Sequence, residues 1–221
     1  MRRLILVVLL ALSPLAAHAQ TEQQALVDRS TLTVQEMLTS ENNPEAKKLL
    51  RDAKGAMVCP QIFKAGFILG GQGGSCVLVG RGQGGWTSPA FYGLASGSVG
   101  FQIGIQDAQI IFIVLTEKGL RALINSQFKV GADASVAVAT VGAGVSGATT
   151  AALRADIVAF SNTRGLFAGV SLDGTMISAR PEANSAYYGQ SLSVQQIVLE
   201  GQGQNQGAEP LKDMLSRAAG N

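Results

Sequence analysis

The sequence predicts an α+β fold, in which helices flank a strongly curved, glycine-rich antiparallel β-sheet or a partly closed barrel. Short apolar runs begin just after residue 55, and glycine or polar residues separate them at spacings that favour antiparallel hairpins over helical crossovers. Glycine makes up 27 of the 221 residues and falls within these runs as well as between them. Glycine inside a strand is typical of bulges and sharp bends, so the sheet is expected to curl.

Residues 1–19 are predicted to be a signal peptide. Arg2 and Arg3 precede an apolar stretch, and Ala17-His18-Ala19 fits the small-x-small rule for cleavage. The apolar stretch is short for a membrane span and is interrupted by proline. The protein is therefore expected to be periplasmic or secreted, in solution or associated with the surface of a membrane.

Loss of this segment would change the charge and the chemistry of the chain. Without Arg2 and Arg3, 15 Lys and Arg would face 15 Asp and Glu, so attraction to nucleic acid is not predicted. The single histidine, His18, would also be lost, which excludes a Ser-His-Asp triad, a Cys-His pair and a His-ligated metal. No enzyme activity, metal or cofactor is predicted, and the carboxylates Asp133 and Asp156 are assigned to turns or sheet edges.

Two glycine patterns have the spacing of a dinucleotide-binding loop, and neither has the context that such a loop needs. The pattern that starts at Gly80 is followed by Trp86 and Pro89, which do not open a helix. After the pattern that starts at Gly142, the next acid, Asp156, comes too soon for a ribose contact. Nucleotide binding is not predicted.

Two helices are predicted before the sheet. Residues 20–42 form the first, because an apolar stripe recurs at helical spacing: Val27, Thr31, Val34 and Leu38. The second begins at Asn43-Pro44-Glu45, where a capping residue, a proline and an acid suit the start of a helix, and it runs to about residue 54.

Residues 43–201, which include this second helix, are predicted to form the main domain. Strands are expected at the apolar runs 56–59, 66–69, 76–79, 99–105 and 110–115. Hairpin turns are predicted at residues 107–109 and at Asp173-Gly174. A helix is predicted from Glu117 to about Phe128, with an apolar face of Leu120, Leu123 and Ile124.

Residues 202–221 are predicted to lie outside the main domain. The glutamine- and glycine-rich segment 201–208 is typical of a flexible linker. A short amphipathic helix is expected after it, with its apolar side formed by Leu211, Met214, Leu215 and Ala218.

Cys59 and Cys76 are the only two cysteines. In an oxidising compartment such a pair forms a disulfide more often than it stays free. Closing this loop would stabilise the fold by about 3 kcal/mol in the chain-entropy model. Two buried thiols are the alternative.

The stretch 46–66 is the most basic part of the chain. Lys47, Lys48, Arg51, Lys54 and Lys64 stand against a single acid at position 52. A basic amphipathic helix is attracted to an anionic membrane surface, at about 1 kcal/mol for each basic residue near it. An excess of four charges therefore predicts weak binding, on the order of 4 kcal/mol, that needs apolar insertion or several copies to persist. A solvated helix face is equally compatible with the charge pattern.

Seven segments between residues 46 and 201 resemble, in order and spacing, the SYLF domain family. They are AKGAM at 53–57, FKAGF at 63–67, GGQGGS at 70–75, WTSPA at 86–90, GFQIG at 100–104, GADASV at 131–136 and SNTRGLFAGVSLDG at 161–174. The resemblance implies binding of phosphoinositides or other acidic phospholipids, with actin binding in some fungal members. It also implies that the lipid contact is the basic helix before the Ala-Lys-Gly segment, which in this chain carries Lys47, Lys48 and Arg51.

Two departures from the family pattern modify this expectation. Cys59 and Cys76 stand where the family usually has an aliphatic residue and a glycine, which favours the disulfide. Export would separate the protein from actin and phosphoinositides, so actin binding is not transferred, and phosphatidylglycerol, cardiolipin or a similar acidic lipid is expected instead. The alternative function is a periplasmic carrier or scaffold that holds a lipid or apolar ligand within the curved sheet.

Overall fold

The computed structural model describes residues 14–39, 44–66, 69–99, 104–125, 127–140, 154–164, 172 and 174–220. In chain order the helices are α1 (Pro14–Leu38), α2 (Pro44–Asp52), α3 (Glu117–Ile124), α4 (Pro181–Tyr188), α5 (Val194–Val198) and α6 (Glu209–Ala219), with a 3-10 turn at Gln206–Ala208. The strands are β1 (Gly55–Gly66), β2 (Leu69–Gly82), β3 (Gly85–Trp86), β4 (Ala90–Val99), β5 (Gly104–Val114), β6 (Gln127–Lys129), β7 (Val136–Thr140), β8 (Ile157–Arg164) and β9 (Met176–Ala179).

The strands form one curled sheet in the order β6-β9-β4-β2-β1-β5-β8-β7, with β3 paired to the end of β2. Its pairs are antiparallel except for β7 and β8, which run parallel. Strands β6 and β7 stand at the two ends of this order, yet only residues 130–135 connect them, and Val130 forms a bridge with Ala134. The two ends of the sheet therefore approach each other. The predicted α+β fold with a curved sheet is confirmed.

A bulge bends β1 in the middle of the sheet. The register of β1 shifts at residues 58–62 against both of its neighbours, β2 and β5. Pro60 lies in this bulge and has no N–H to donate to a ladder, which explains why the regular pairing breaks there. Opposite it, a Cβ at Gly74 would collide with the carbonyl oxygen of Gln61, so this position requires glycine.

The sheet separates two hydrophobic cores. On its outer face, Ala56 and Val58 of β1 pack with α1, α2, α4 and α6; on its inner face, Met57 and Cys59 pack with α3, α5 and β6. The alternation along β1 reflects the two-residue period of a strand. Because both faces are covered, the central strands are apolar on both sides, which explains their appearance as continuous apolar runs in the sequence.

Several predicted elements are present. Runs 56–59, 76–79 and 110–114 lie in β1, β2 and β5, whereas residues 67–68 and 100–103 of two further runs lie outside the described residues. Helix α1 buries Val27, Val34 and Leu38 completely, while Thr31 is half-buried and donates to the carbonyl of Val27. Residues 1–13 and 40–43 are also outside the described ranges. Among the described helices, none has the length and apolar character required to cross a membrane.

Both predicted hairpin turns differ from the structure. Strand β5 runs straight through residues 107–109, because Ala108 is buried on the inner face between Ile62 and Thr163 of the neighbouring strands. The turn at Gly174 exists, with φ of 72° and a bond of 3.0 Å from Thr175 N to Leu172 O. It does not form a hairpin, because β9, which follows it, pairs with β4 and β6. Asp173 lies outside the described residues.

Two boundaries also differ. Helix α3 ends at Ile124, because the chain turns at Asn125 and places Phe128 in β6, where its side chain is fully buried. Residues 201–208, expected to be a flexible linker, pack against α1 and α4: the Asn205 side chain donates to the Tyr187 carbonyl, and Gln24 donates to the carbonyl of Gly207. The amphipathic helix then follows as predicted and completes the outer core.

Candidate functional site

Helix α2 displays basic side chains on the surface of the outer layer. Ala46 and Leu50 are fully buried against the outer core, and Lys48 and Arg51 are exposed on the remaining faces. Lys47 is half-buried, and its Nζ donates to the carbonyl of Thr39 (3.1 Å). The amphipathic spacing of the apolar residues therefore directs the charges outward.

Arg81 holds the C-terminal end of α2 in place. Its Nη1 donates to the carbonyls of Leu50 (3.0 Å) and Arg51 (2.6 Å) at the helix end, where the Leu50 carbonyl also accepts from the backbone N–H of Ala53 (3.3 Å). The guanidinium also stacks on the Trp86 ring at 5.3 Å from the centroid. Sequence reasoning missed Arg81, because a cap supplied from a strand 30 residues away leaves no local pattern.

The basic side chains of α2 do not contact carboxylates. Arg51 donates from Nε to the carbonyl of Ala219 at the end of α6 (3.2 Å), so its partner is uncharged. The ion pairs formed between described residues join Lys118 to Asp156 and Lys212 to Glu209, and neither involves α2. The basic side chains of α2 therefore form no ion pair with an acid in the described part of the chain, although the helix also carries Glu45 and Asp52.

Lys54 and Lys64, the other two predicted site residues, have different positions. Lys54 is exposed directly after α2, so it extends the basic surface. Lys64 lies opposite Gln72 and Gln106 near the far end of β1, about 30 Å from Lys54 along an extended strand. It is half-buried, and it follows Ile62 on the inner face. The structure does not bring Lys64 together with the α2 residues, because one long strand separates positions that are only ten apart in sequence.

Cys59 and Cys76 form the disulfide predicted from the sequence. The bond links β1 to β2 beside the bulge, with the Cα atoms 4.2 Å apart, and both residues are fully buried in the inner core. The alternative of two free thiols is excluded. The disulfide therefore holds β1, the strand that directly follows α2, against β2.

The ionisable groups inside the fold have structural partners. Asp156 accepts hydrogen bonds from Thr116, Ser135 and Lys118. The Thr116 hydroxyl is the largest cause that holds the pKa of Asp156 well below its usual range, against the opposing effect of burial. Asp133 accepts from the backbone N–H of Lys129 in a turn. Within the described ranges no group of histidine, cysteine and acidic residues could hold a metal ion.

The buried tyrosines are also structural. Burial raises the pKa of Tyr92 and of Tyr188, and their hydroxyls donate to the carbonyls of Leu123 (2.8 Å) and Pro89 (2.6 Å). Tyr92 fills the inner core together with Phe112 and Phe128. Two surface grooves lined by described residues have volumes of about 450 and 240 Å³.

Comparisons with known proteins identify one family. The Ysc84 family, described as "Las17-binding protein actin regulator", matches residues 95–218. That match starts after α2 and the disulfide. Residues 161–174, the most specific part of the resemblance, run from β8 across 165–171 and 173, which lie outside the described residues.

Curated relatives are about a third identical to this chain over the aligned residues. The SH3 domain-containing YSC84-like protein 1 of Xenopus laevis is 32% identical over 158 residues, 69% of this chain and 47% of the relative. Its human counterpart is 30% identical over 183 residues, 80% of this chain and 53% of the relative. LAS seventeen-binding protein 3 of Saccharomyces cerevisiae is 32% identical over 154 residues, 68% of this chain and 33% of the relative. The chain thus spans about half the length of the animal proteins and a third of the yeast one.

Proposed function

Because the chain belongs to the Ysc84 family, whose domain is the SYLF domain that its sequence resembles, we propose that it binds membranes of acidic phospholipid through α2. The observation that carries the proposal is the outward display of Lys47, Lys48 and Arg51 with no carboxylate partner among the described residues. Lys54 extends the same surface. Phosphate headgroups would supply the missing negative charge.

The structure of α2 suits a surface contact. Arg81 and the Arg51–Ala219 contact fix the helix through backbone carbonyls. Little conformational entropy is therefore lost by the helix when it meets a flat membrane. The four basic residues of the segment 47–54 exceed the two acids of α2, Glu45 and Asp52, by two charges. They therefore contribute on the order of 2 kcal/mol near an anionic surface, so binding through α2 alone is weak and decreases as salt rises.

The proposed lipid follows from the predicted export. A signal peptide over residues 1–19 would deliver the protein to the periplasm or the medium, where phosphatidylglycerol and cardiolipin are acidic lipids of bacterial membranes. Las17 and actin, which the family description and the yeast relative name, are not proposed as partners. The relatives are longer proteins. The name of the yeast relative refers to binding and the family description to binding and regulation, so a binding role without catalysis is proposed for this chain as well.

Co-sedimentation with vesicles tests the proposal. Vesicles of phosphatidylcholine with and without phosphatidylglycerol are mixed with the protein at two salt concentrations. We expect binding only to the acidic vesicles, and a loss of at least tenfold in the Lys47→Glu, Lys48→Glu double variant. Arg51 is left unchanged, because its contact with Ala219 supports the fold.

A matched variant separates a local contact from net charge. Arg121→Glu with Lys129→Glu makes the same change in charge on α3 and β6, at residues that are exposed away from α2. Its binding is expected to fall less than threefold. Equal losses in the two double variants would show that α2 is not the contact surface, and binding to neutral vesicles would contradict the proposed lipid class.

A further inference from the structure

A groove on the outer face of the sheet lies between α1 and the strands β1 and β2. It has a volume of about 240 Å³, and its lining includes Arg29 of α1, Pro60 and Phe63 of β1, and Gly73 and Ser75 of β2. None of the described residues that line it is acidic. The lining therefore carries positive charge, and the Asp107 carboxylate, which accepts a hydrogen bond from the lining residue Gln61 (3.1 Å), lies outside it.

A second guanidinium reaches the groove from across the sheet. Arg180, which precedes α4, donates from Nη1 to the Ser75 hydroxyl (3.4 Å). Its side chain passes over β4 at Gly93, where a Cβ would lie 3.7 Å from the Arg180 Cδ. Arg29 and Arg180 thus stand near a floor formed by the backbone of β2, both with exposed side chains.

Exposed apolar side chains accompany these charges. Leu32 and Phe63 are the two most exposed large hydrophobic residues in the described part of the chain, at 63% and 51%. Phe63 lines the groove, and Leu32 lies one helical turn beyond Arg29 on the same side of α1. Guanidinium groups beside exposed apolar side chains suit the boundary between headgroups and acyl chains.

We infer that this groove is a second membrane contact, in which Arg29 and Arg180 bind a lipid phosphate and Phe63 and Leu32 enter the acyl boundary. The inference rests on the proposed function of α2. Helix α2 and the groove both lie on the outer face of the sheet. Ser75 in the groove and Arg81 under α2 are six residues apart on β2, about 20 Å. Both contacts thus lie on the same face of one sheet, and we infer that one lipid surface meets both.

Two linked contacts explain how a weakly charged helix could hold a membrane. Once α2 has docked, the groove meets phosphates at a high effective concentration, so the combined affinity exceeds that of either contact. A soluble anion offers the groove charge complementarity but no apolar phase for Phe63. A lipid surface fits both properties of the groove.

Insertion of Phe63 is tested with the full chain carrying Phe63→Trp. Vesicles of phosphatidylcholine and phosphatidylglycerol with brominated acyl chains quench tryptophan that enters the bilayer. The single native tryptophan, Trp86, is only 5% exposed and serves as the internal reference in the parent protein. We expect at least half of the added emission in the variant to be quenched, with little quenching in the parent.

The charges are tested with Arg29→Glu combined with Arg180→Glu, after circular dichroism has established that the variant keeps the parent fold. Binding to acidic vesicles is expected to fall about tenfold, and Phe63→Ser alone is expected to lower it three- to fivefold. Inorganic phosphate at 10 mM, on the order of free phosphate in a cell, tests a small-anion site with sodium chloride matched for ionic strength. It should compete no better than the matched chloride.

The outcomes separate this inference from the function on which it rests. If the parent binds and depends on α2, but Phe63→Trp is not quenched and the arginine variant binds normally, the groove is no membrane contact and the α2 proposal stands. If phosphate competes specifically and no quenching occurs, the groove is a small-anion site, which overturns the inference. If the parent does not bind acidic vesicles, both proposals fail together.

Discussion

Helices α2 and α3 are both short, amphipathic and basic, and they cover opposite faces of the same sheet. In α3, Lys118 forms an ion pair with Asp156 (3.0 Å), which also joins Thr116 to Ser135. In α2, Lys47 and Arg51 donate to backbone carbonyls, and neither side chain forms an ion pair with a carboxylate among the described residues. A basic helix can therefore offer its charge to an external partner only where the fold places no acid in contact with it.

Removal of the acid beneath α3 should have the largest effect. Asp156→Ala leaves the Thr116 and Ser135 donors without their acceptor, so we expect the free energy of unfolding to fall by about 3 kcal/mol. Urea denaturation measures this change. Asp133→Ala, at an exposed turn, is the matched control and should cost less than 1 kcal/mol. Equal losses of unfolding free energy in the two variants would show that Asp156 is no more important to the fold than the surface acid Asp133.

The same acid should give the protein a dependence on low pH. The pKa of Asp156 is lowered in the folded state, so its contribution is present above the unfolded value, about 3.9, and is lost as pH falls toward the folded value. The difference in unfolding free energy between the parent and Asp156→Asn is therefore expected to shrink below pH 4, by at most about 1.4 kcal/mol per pH unit. A constant difference between pH 6 and pH 2.5 would contradict this assignment.

A moderate effect is expected from the residue that caps α2. Arg81→Gln removes two hydrogen bonds to helix carbonyls and the contact with Trp86, so the free energy of unfolding should fall by about 1–2 kcal/mol. Thermal unfolding followed by circular dichroism measures the loss. Arg217→Gln, an exposed arginine on α6, is the control and should change stability by less than about 0.5 kcal/mol.

The smallest effect on stability should come from α2 itself. Lys48→Ala removes an exposed side chain that has no partner among the described residues, and alanine favours a helix, so stability should change by less than about 0.5 kcal/mol. Vesicle binding by the same variant should nevertheless weaken severalfold. A loss of stability without a loss of vesicle binding would contradict the assignment of α2 to binding and of α3 to stability.

The sequence predicted those features that depend on neighbouring residues. The apolar runs of β1 and β2, the start of α2 at Pro44 and the disulfide between the two cysteines were all predicted. Residues 107–109 resembled a turn because Asp107 and Gln109 are polar, although both belong to β5 and Ala108 between them is buried in the inner core. Local polarity does not reveal whether a chain reverses or continues between two partners.

The parts of the site that depend on contacts through space were not predictable. Lys64 was grouped with α2 on sequence proximity, whereas an extended strand carries it to the far end of the sheet. Arg81 and Arg180 reach their partners from other strands and loops, so no spacing in the sequence indicates them. The exposure of Phe63 was not predictable either, because nothing in the sequence shows that α1 leaves that part of β1 uncovered.

The disulfide has a consequence for the unfolded chain. Its cysteines are 17 apart in sequence, and the chain has no third cysteine to form a wrong bridge. A loop of this length closes at low entropic cost. In the unfolded chain the bond keeps the two central strands near each other, so it removes many of the conformations that compete with their bent native pairing.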